Sequence, residues 1–356
     1  MSKVIGIDLG TTFSAIASLD DLGNPEVLAS IEDNRKITAS AIYINENNVT
    51  VGDKALNHIK EEPKKVILQT KREMENDVVY SVDQGKWTDD KDLINTYTPA
   101  QISSLILKKL KDYTTDVKKA VITVPAMFAE KARQATLDAA KLADLEVIEL
   151  INEPTAAVLH YASLPGVEVG GRVMIFDLGG GTFDVTFAEV KNKKVDVLTS
   201  RGDKYLGGRD FDKEITKLMK IKYHDAHKVD IDIENKKEYL QKAEEVKKIL
   251  SVKNKASISI DGPKGPQQIE ITLEEFEESI QTYIEKIKML IEEAMEASGM
   301  KPSRINQTLL VGGSTRIPLI TKVLELEPPN TPVTDILTYP TCPLVSLFDC
   351  LFCSHI

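Results

Sequence analysis

Two short polar turns in the chain contain residue types that suit a phosphate group and a metal ion. Residues 8–12 read Asp-Leu-Gly-Thr-Thr and residues 177–182 read Asp-Leu-Gly-Gly-Gly-Thr, and we call them the first turn and the second turn. Their glycines let the backbone approach a ligand, and successive N–H groups form a concave anion site. Threonine hydroxyls add donors, and Asp8 and Asp177 suit a hard divalent cation, bound directly or through water. Together the turns predict a magnesium and phosphate site.

Each turn taken alone is also compatible with a plain hairpin, since Asp and Gly are common turn residues. The two turns share matched apolar flanks, which favours a common ligand in a cleft between two similar halves of the protein. Two other phosphate sites are excluded. The nearest string to G-x-x-x-x-G-K-[ST], from Gly202 to Arg209, lacks the lysine, and the sequence has no H-R-D loop of the protein-kinase type.

Strands and helices alternate around the turns, which predicts an α/β fold. Residues 3–19 predict two strands joined by a tight turn, and residues 43–53 predict a short hairpin. Residues 98–114 have apolar residues at helical spacing, with Thr98 as the N-cap before Pro99. Further strands are predicted within residues 118–128, 147–154, 172–190, 193–203, 257–272 and 308–313, and helices over residues 129–145, 155–162, 235–251 and 273–299.

The order of these elements predicts two pseudo-symmetric lobes, each opened by one of the turns. Lobe I covers residues 1–170 with an insertion at about 39–97, and lobe II covers residues 171–324 with a more helical and charged insertion at about 207–299. Residues 325–356 form an atypical tail. All cysteines of the chain lie in that tail, namely Cys342, Cys350 and Cys353.

Composition and charge restrict the class of protein. With 356 residues, 42% hydrophobic and 28% charged, the chain has the composition of a soluble globular protein of about two or three domains. A net charge of -10 argues against a nucleic-acid-binding protein, because such proteins bind the phosphate backbone with basic surfaces. No apolar run approaches the roughly 18 to 20 residues that span a bilayer, and the N-terminus enters a strand-like run at once. We therefore expect no membrane segment, no secretion signal and a cytoplasmic location.

Six blocks of the sequence resemble the nucleotide-binding domain of the seventy-kilodalton heat-shock chaperones of the DnaK type. They read IGIDLGTTFSAIA, AVITVPAMF with ARQAT, INEPTAA, FDLGGGTFDVT, GDKYLGGRDFD and LLVGGSTRIP, in the family's order from residue 4 to about 324. The resemblance implies an α/β, actin-like ATPase fold, with two ribonuclease-H-like lobes and inserted subdomains around a central nucleotide cleft. It implies ATP binding and hydrolysis with Mg²⁺ and K⁺ in protein folding.

The same resemblance implies partners. J-domain co-chaperones and nucleotide-exchange factors are expected, whereas nucleic acid and membrane are not. Peptide clients are expected only if a C-terminal peptide-binding domain exists, and the tail LELEPPNTPVTDILTYPTCPLVSLFDCLFCSHI resembles neither that domain nor the family's closing helix. A changed reading frame or an unspliced segment explains this tail better than a divergent lineage-specific tail. We expect apolar surface to be exposed where the closing helix would pack.

The resemblance also assigns roles to residues of this chain. Lys71 matches the lysine that reaches the γ-phosphate, Glu153 matches a carboxylate beside the metal, and Asp184 matches a proton acceptor for the attacking water. Asp8 and Asp177 match the aspartates that hold the metal, mainly through water. The matched catalytic set is Lys71, Glu153, Asp177, Thr182 and Asp184. The matched nucleotide-binding positions are Gly10, Thr11, Thr12, Phe13, Gly179, Gly180, Gly181, Thr182, Gly207, Gly208, Glu244, Lys247, Lys248, Ser251, Gly312, Gly313, Ser314 and Arg316.

This sequence departs from the family pattern at three places, and two of them have stated consequences. Lys248 stands where the family has an arginine stacked on adenine, and an ammonium stacks less well than a planar guanidinium, so we expect weaker ATP binding. Pro125 and Arg133 match a relay to the partner domain, but Met127 replaces its tyrosine, so the hydroxyl of that relay is missing. The loop after Lys71 is shorter and lacks the family's glycine.

Other functions stay open at this point. A filament-forming actin-like protein, a sugar kinase of the same superfamily, and a nucleotide-binding fragment without turnover all share parts of the pattern. His224 and His227 have helical spacing that suits a metal, but without a third convincing ligand a solvated helix face is the better interpretation.

Overall fold

The computed structural model describes residues 3–20, 22–46, 48–163, 170–191, 194–234, 236–326 and 333–335. Most of the atypical tail, with its cysteines, lies outside these residues. Within them no helix is both long and apolar enough to cross a membrane.

Residues before Gly170 contain a mixed sheet whose strand order is β12-β11-β1-β2-β3, with β4 also pairing to β2. Two smaller sheets, β10-β8-β9 and β6-β5-β7, lie in the predicted insertion. The strands are β1 (Lys3–Asp8), β2 (Phe13–Leu19), β3 (Pro25–Val27), β4 (Thr38–Ala39), β5 (Ala41–Asn45), β6 (Asn48–Val51), β7 (Val66–Leu68), β8 (Val79–Ser81), β9 (Lys86–Thr88), β10 (Thr96–Tyr97), β11 (Val117–Val124) and β12 (Glu146–Asn152). The helices are α1 (Asp53–Leu56), α2 (Pro99–Lys111), α3 (Glu130–Leu142) and α4 (Glu153–Ser163).

Residues after Gly170 contain a second sheet, in the order β15-β14-β13-β18-β19, and a separate hairpin of β16 and β17. The strands are β13 (Gly171–Leu178), β14 (Phe183–Lys191), β15 (Lys194–Asp203), β16 (Lys255–Ile260), β17 (Gln267–Thr272), β18 (Gln307–Val311) and β19 (Val333–Asp335). The helices are α5 (Gly208–His227), α6 (Lys237–Leu250), α7 (Leu273–Ser279), α8 (Gln281–Ser298) and α9 (Pro318–Leu326).

The two large sheets repeat one arrangement around the two turns. In the first, β1 and β2 form an antiparallel hairpin and β1 pairs in parallel with β11, so that Asp8 lies beside Thr123. In the second, β13 and β14 form the hairpin and β13 pairs in parallel with β18, so that Asp177 lies beside Val311. Each turn therefore stands at the carboxyl end of a central strand, which explains why the sequence repeats there. The boundaries of the lobes and their insertions stay predictions.

Local signals explain why the helix α2 forms where the sequence predicts it. The Thr98 hydroxyl accepts from the Gln101 N–H at 3.2 Å, and the Gln101 side chain accepts from the Thr98 N–H at 2.8 Å. This reciprocal capping satisfies two helix-end donors, and Pro99 begins the helix with a favourable φ. Ile102, Ile106 and other apolar residues of α2 are buried in the core of lobe I.

One predicted helix, residues 273–299, is wrong as a continuous element. It is divided at Ile280, whose φ of -101° and ψ of 5° end α7 before α8 begins. The Ile280 side chain is fully buried in the lobe II core. Its burial accounts for the break, because the interrupted helix places Ile280 in one core with Phe276 of α7 and Ile284 of α8.

Candidate functional site

Two buried serines stabilise the first turn through hydrogen bonds. The Gly10 N–H donates to the Ser14 hydroxyl at 3.1 Å, and the Ser40 hydroxyl donates to the Gly10 carbonyl at 2.8 Å. Ser14 and Ser40 are themselves 2.9 Å apart. A methyl group on Gly10 would lie 2.0 Å from the Phe13 carbonyl oxygen, so no side chain fits there. The turn is therefore fixed before any ligand arrives.

The second turn is fixed through its carbonyl groups. The Gly179 carbonyl accepts from the Gly208 N–H and from the Ser314 hydroxyl, both at 3.0 Å. The Gly180 carbonyl accepts from the Arg209 N–H at 2.8 Å. These donors lie at the start of α5 and after β18, which places the predicted Gly207–Gly208 and Gly312–Ser314 turns directly behind the second turn.

A third carbonyl of the second turn is held from the other lobe. The Gly181 carbonyl accepts from Nε of Arg72 at 2.7 Å. In a trans peptide the C=O and the following N–H point in opposite directions. Each N–H group of residues 180–182 therefore points away from the donor that holds the preceding carbonyl. Consecutive N–H groups in a glycine turn can form an anion-binding nest.

The two turns touch each other across the cleft. A methyl group on Gly180 would lie 2.0 Å from Oγ1 of Thr12, and one on Gly181 would lie 2.3 Å from Cγ2 of Thr11. A side chain at either position would force the facing threonine to shift. The threonines of the first turn and the backbone of the second thus line one small space.

Half-buried carboxylates stand beside this space. Burial, with repulsion from Glu153 and Asp8, raises the pKa of Asp177 to about 8. Burial also raises the pKa of Glu153, and the neighbouring Lys71 offsets part of that rise. The Thr123 hydroxyl donates to Asp8 at 3.1 Å. A bound cation would offset the mutual repulsion that raises these pKa values, so this cluster of carboxylates suits a cation.

Lys71 lies among these carboxylates. Its Nζ is 2.5 Å from Oε1 of Glu153, and the Lys71 side chain is 8% exposed. Burial by itself would lower the pKa of Lys71, but the attraction of Glu153 and Asp8 outweighs it and keeps the pKa above its usual value. Lys71 is therefore a charged ammonium at the edge of the carboxylate cluster, as its predicted role requires.

Asp184 is buried on β14, where it pairs with Asp177 in the hairpin register. Burial, followed by repulsion from Glu153 and Asp177, raises the pKa of Asp184 well above its usual value. Its Oδ1 forms no hydrogen bond to any residue that the structure describes. A buried carboxylate with a raised pKa is a stronger base than a free one, which suits proton transfer.

The predicted relay residues connect to the site through Asn152. Arg133 donates to the Asn152 side chain at 2.7 Å, and Asn152 directly precedes Glu153. Arg133 also donates to the Phe128 carbonyl at 3.0 Å, which supports the loop after Pro125. Met127 Sδ lies near Gly202 and Asp184, since a methyl group on Gly202 would be 3.0 Å from Met127 and 2.9 Å from Asp184 Oδ1. Met127, which stands where the family has a tyrosine, and Asp184 thus both lie close to Gly202.

Comparison with family models decides which class of protein carries this arrangement. The model for Hsp70 protein matches residues 4–335 of the 356-residue chain. The chain belongs to the Hsp70 family. Members of this family are ATP-dependent chaperones and ATPases with an actin-like fold, and they bind ATP and ADP with Mg²⁺. The predicted family and fold class are confirmed.

In this Hsp70 chain the predicted adenosine helix α6 lies against the start of α5. Lys247 Nζ is 2.7 Å from Asp212 and 2.8 Å from the Gly208 carbonyl. Lys248 is 63% exposed and pairs with Glu244 at 2.7 Å. Lys247 is thus occupied by a buried ion pair, whereas Lys248 stands at the surface, where a ring could stack on it.

The remaining predicted positions lie around the second turn. The Ser251 hydroxyl donates to the Lys247 carbonyl at 3.0 Å. Gly312 has a φ of +88°, and a methyl group on it would lie 2.3 Å from the Leu178 carbonyl oxygen. Gly313 and Arg316 are exposed beyond that turn. The structure thus brings together the two turns, the carboxylates, Lys71 and the Gly207–Gly208 turn. Whether each predicted residue contacts nucleotide stays a prediction.

Sequence reasoning missed four supporting side chains of this Hsp70 chain: Arg72, Asp210, Ser14 and Ser40. The serines sit at hairpin and strand positions where their pairing depends on β4 folding back onto β2. Arg72 directly follows Lys71, and this adjacency is the one sequence feature that indicates a position near the site. A single arginine carries no spacing pattern, so it gives no hint of a partner far along the chain.

The donor set fits magnesium and a phosphate chain. Within the described part of the chain, no three His, Cys, Asp or Glu side chains converge closely enough to hold a metal ion directly. This finding is compatible with the predicted attachment of the metal through water. His224 pairs with Asp230 at 3.0 Å, in keeping with a solvated helix face. Paired glycine turns that exclude side chains suit phosphate oxygens.

Proposed function

We propose that this chain binds ATP and hydrolyses it to ADP and phosphate, as the nucleotide-binding part of a molecular chaperone. One observation carries the proposal. Lys71 pairs with Glu153 at 2.5 Å and is attracted by Asp8 and Asp177, which begin two glycine turns that touch each other. Phosphoryl transfer depends on positioning and charge neutralisation more than on covalent chemistry, and this arrangement supplies both.

Each group has a distinct role in the proposed reaction. The N–H groups of residues 180–182 and the hydroxyls of Thr11 and Thr12 bind the phosphate oxygens. Lys71 places its ammonium against the γ-phosphate and neutralises charge that develops there. Asp184 accepts the proton of the attacking water, for which burial has raised its pKa.

The proposal includes a metal and a site for it. Asp8 and Asp177, with Glu153 beside them, would hold the water shell of Mg²⁺. Bound magnesium supplies charge neutralisation at the phosphate oxygens. K⁺ as a second ion, J-domain co-chaperones and nucleotide-exchange factors are part of the proposal through family membership alone.

Turnover of ATP tests the proposed function against its alternatives. We expect hydrolysis that needs Mg²⁺, stops with EDTA and is stimulated by K⁺. Addition of hexoses or glycerol should leave the rate unchanged, and light scattering should show no filaments with ATP. Binding of ATP without hydrolysis would instead assign the chain to the class of nucleotide-binding proteins without turnover.

A further inference from the structure

Arg72 crosses from lobe I to lobe II inside the cleft. Its side chain is 6% exposed, and it lies on the same short turn as Lys71, over Thr70–Glu73. Nε donates to the Gly181 carbonyl at 2.7 Å, and Nη2 donates to Asp210 Oδ2 at 2.6 Å. Nη1 lies 3.4 Å from Asp210 Oδ1, so the guanidinium faces both carboxylate oxygens. The adjacent residues Lys71 and Arg72 therefore contact opposite lobes: Lys71 pairs with a residue of lobe I, and Arg72 with residues of lobe II.

Asp210 links this contact to the frame of lobe II. Its carboxylate accepts from the Gly207 N–H at 3.0 Å and thereby caps the start of α5. It also accepts from Lys213 Nζ at 3.0 Å, but Lys213 is 43% exposed. Asp210 itself is 6% exposed. Arg72 thus forms a buried ion pair with Asp210, whereas Lys213 forms a partly exposed ion pair with the same carboxylate.

The contact with Gly181 has a consequence for the second turn. The Arg72 guanidinium fixes the carbonyl of the peptide between Gly181 and Thr182, and so it fixes the direction of the Thr182 N–H. The other two glycine carbonyls are held by donors within lobe II. The N–H of Thr182 is therefore the member of the nest whose direction depends on lobe I.

We propose that Arg72 is a positioning residue that couples closure of the two lobes to the orientation of the second turn. This inference rests on the proposed ATPase function. When the lobes separate, Arg72 leaves Gly181, the Thr182 N–H loses its direction, and Lys71 moves away with the same turn. Closure aligns both at once, so that hydrolysis is restricted to the closed cleft. Arg72 acts through Gly181 and Asp210 and has no predicted contact with nucleotide.

The variants are chosen to separate positioning from simple loss of stability. Removing one partner of a buried ion pair leaves an uncompensated charge, which destabilises a protein strongly. Arg72→Lys keeps the charge but loses the planar fork that reaches Gly181 and Asp210 together. The double variant Arg72→Gln with Asp210→Asn removes both charges and tests the contact without a buried lone charge. Lys213→Ala is the matched control, since it removes the exposed cation on the same carboxylate.

Single-turnover hydrolysis of prebound ATP and dissociation of a fluorescent ADP are measured for each folded variant. We expect Arg72→Lys and the double variant to hydrolyse ATP at least about tenfold more slowly and to release ADP several-fold faster, with ATP affinity changed much less than the hydrolysis rate. Lys213→Ala should match wild type in both measurements. If Arg72→Lys does not fold, the hydrolysis and ADP-release rates of the double variant test the proposal.

Two results would overturn the inference. One is a folded Arg72 variant with wild-type hydrolysis and ADP release. The other is a fall in hydrolysis that equals the fall in ATP affinity, which would assign Arg72 to ground-state binding. A wild-type protein that binds ADP without hydrolysing ATP contradicts the proposed function instead. If the wild-type protein binds ADP without hydrolysing ATP, faster ADP release from the Arg72 variants still supports a link between the lobes through Arg72. Unchanged ADP release from those variants overturns that link.

Discussion

Nζ of Lys71 lies 2.5 Å from Oε1 of Glu153, and both side chains are largely buried at the cleft. Lys71 comes from the short turn after β7, whereas Glu153 begins α4 at the end of β12. The pair thus joins the predicted insertion of lobe I to its central sheet. Glu153 thus holds the Lys71 ammonium where Asp8 and Asp177 also attract it.

Stability of the metal-free protein should fall as the pH rises. The pKa of Asp177 is raised from 3.8 to about 8, mainly by burial and then by Glu153 and Asp8. Between these values the folded state keeps a proton that the unfolded state has lost. The free energy of unfolding should therefore fall with rising pH by up to about 1.4 kcal/mol per pH unit from this group. Urea denaturation in EDTA, from about pH 5 to about pH 8, measures the slope.

The variant Asp177→Asn should flatten that slope, because it removes the titrating group. Asp203→Asn is the matched control. The pKa of Asp203 is lowered, since hydrogen bonds from Lys286 and Tyr205 outweigh its burial. Its contribution to stability is thus lost only at acid pH, and its difference from wild type should stay constant above about pH 5. A wild-type slope equal to that of Asp177→Asn would contradict this assignment.

Gly180→Ala should weaken ATP binding by about tenfold or more, because the methyl group would lie 2.0 Å from Thr12 Oγ1 and push the turns apart. Gly170→Ala is the control, since a methyl group there has no neighbour within 4 Å. Isothermal titration of both variants with ATP and Mg²⁺ gives the dissociation constants. Equal affinity of the two variants would show that contact between the turns does not determine binding.

Lys248→Arg should tighten ATP binding several-fold. The Lys248 side chain is exposed and held by Glu244, and a planar guanidinium stacks on a ring better than an ammonium does. The comparison of ATP with a nucleotide lacking the adenine base separates stacking from charge. An unchanged dissociation constant for ATP would remove Lys248 from the adenosine site.

Much of the fold was predictable from local pattern. The helix α2 was predicted from its spacing and from Thr98, and the two hairpins around the turns were predicted from alternating apolar residues. The division of residues 273–299 at Ile280 was not predictable. An isoleucine is compatible with a helix, and only packing in the lobe II core decides that it lies between two helices.

The site was predictable where a motif repeats and unpredictable where contacts join distant segments. Both turns were recognised because glycine, threonine and aspartate recur with the same flanks. Neither Arg72 with Gly181 nor Ser14 with Ser40 has such a pattern, since these contacts arise when separate elements fold together. The raised pKa of Asp177 likewise depends on burial and on charges brought from other strands.

Single-turnover hydrolysis by Lys71→Ala tests directly whether Lys71 drives hydrolysis at this site. ATP is bound first, Mg²⁺ and K⁺ are present, and the rate is compared with wild type and with Lys109→Ala, which removes a lysine that pairs with Glu32 at the surface of lobe I. We expect Lys71→Ala still to bind ATP but to hydrolyse it about a hundredfold more slowly or worse, while Lys109→Ala should match wild type. Hydrolysis by Lys71→Ala at the wild-type rate would contradict the proposed mechanism.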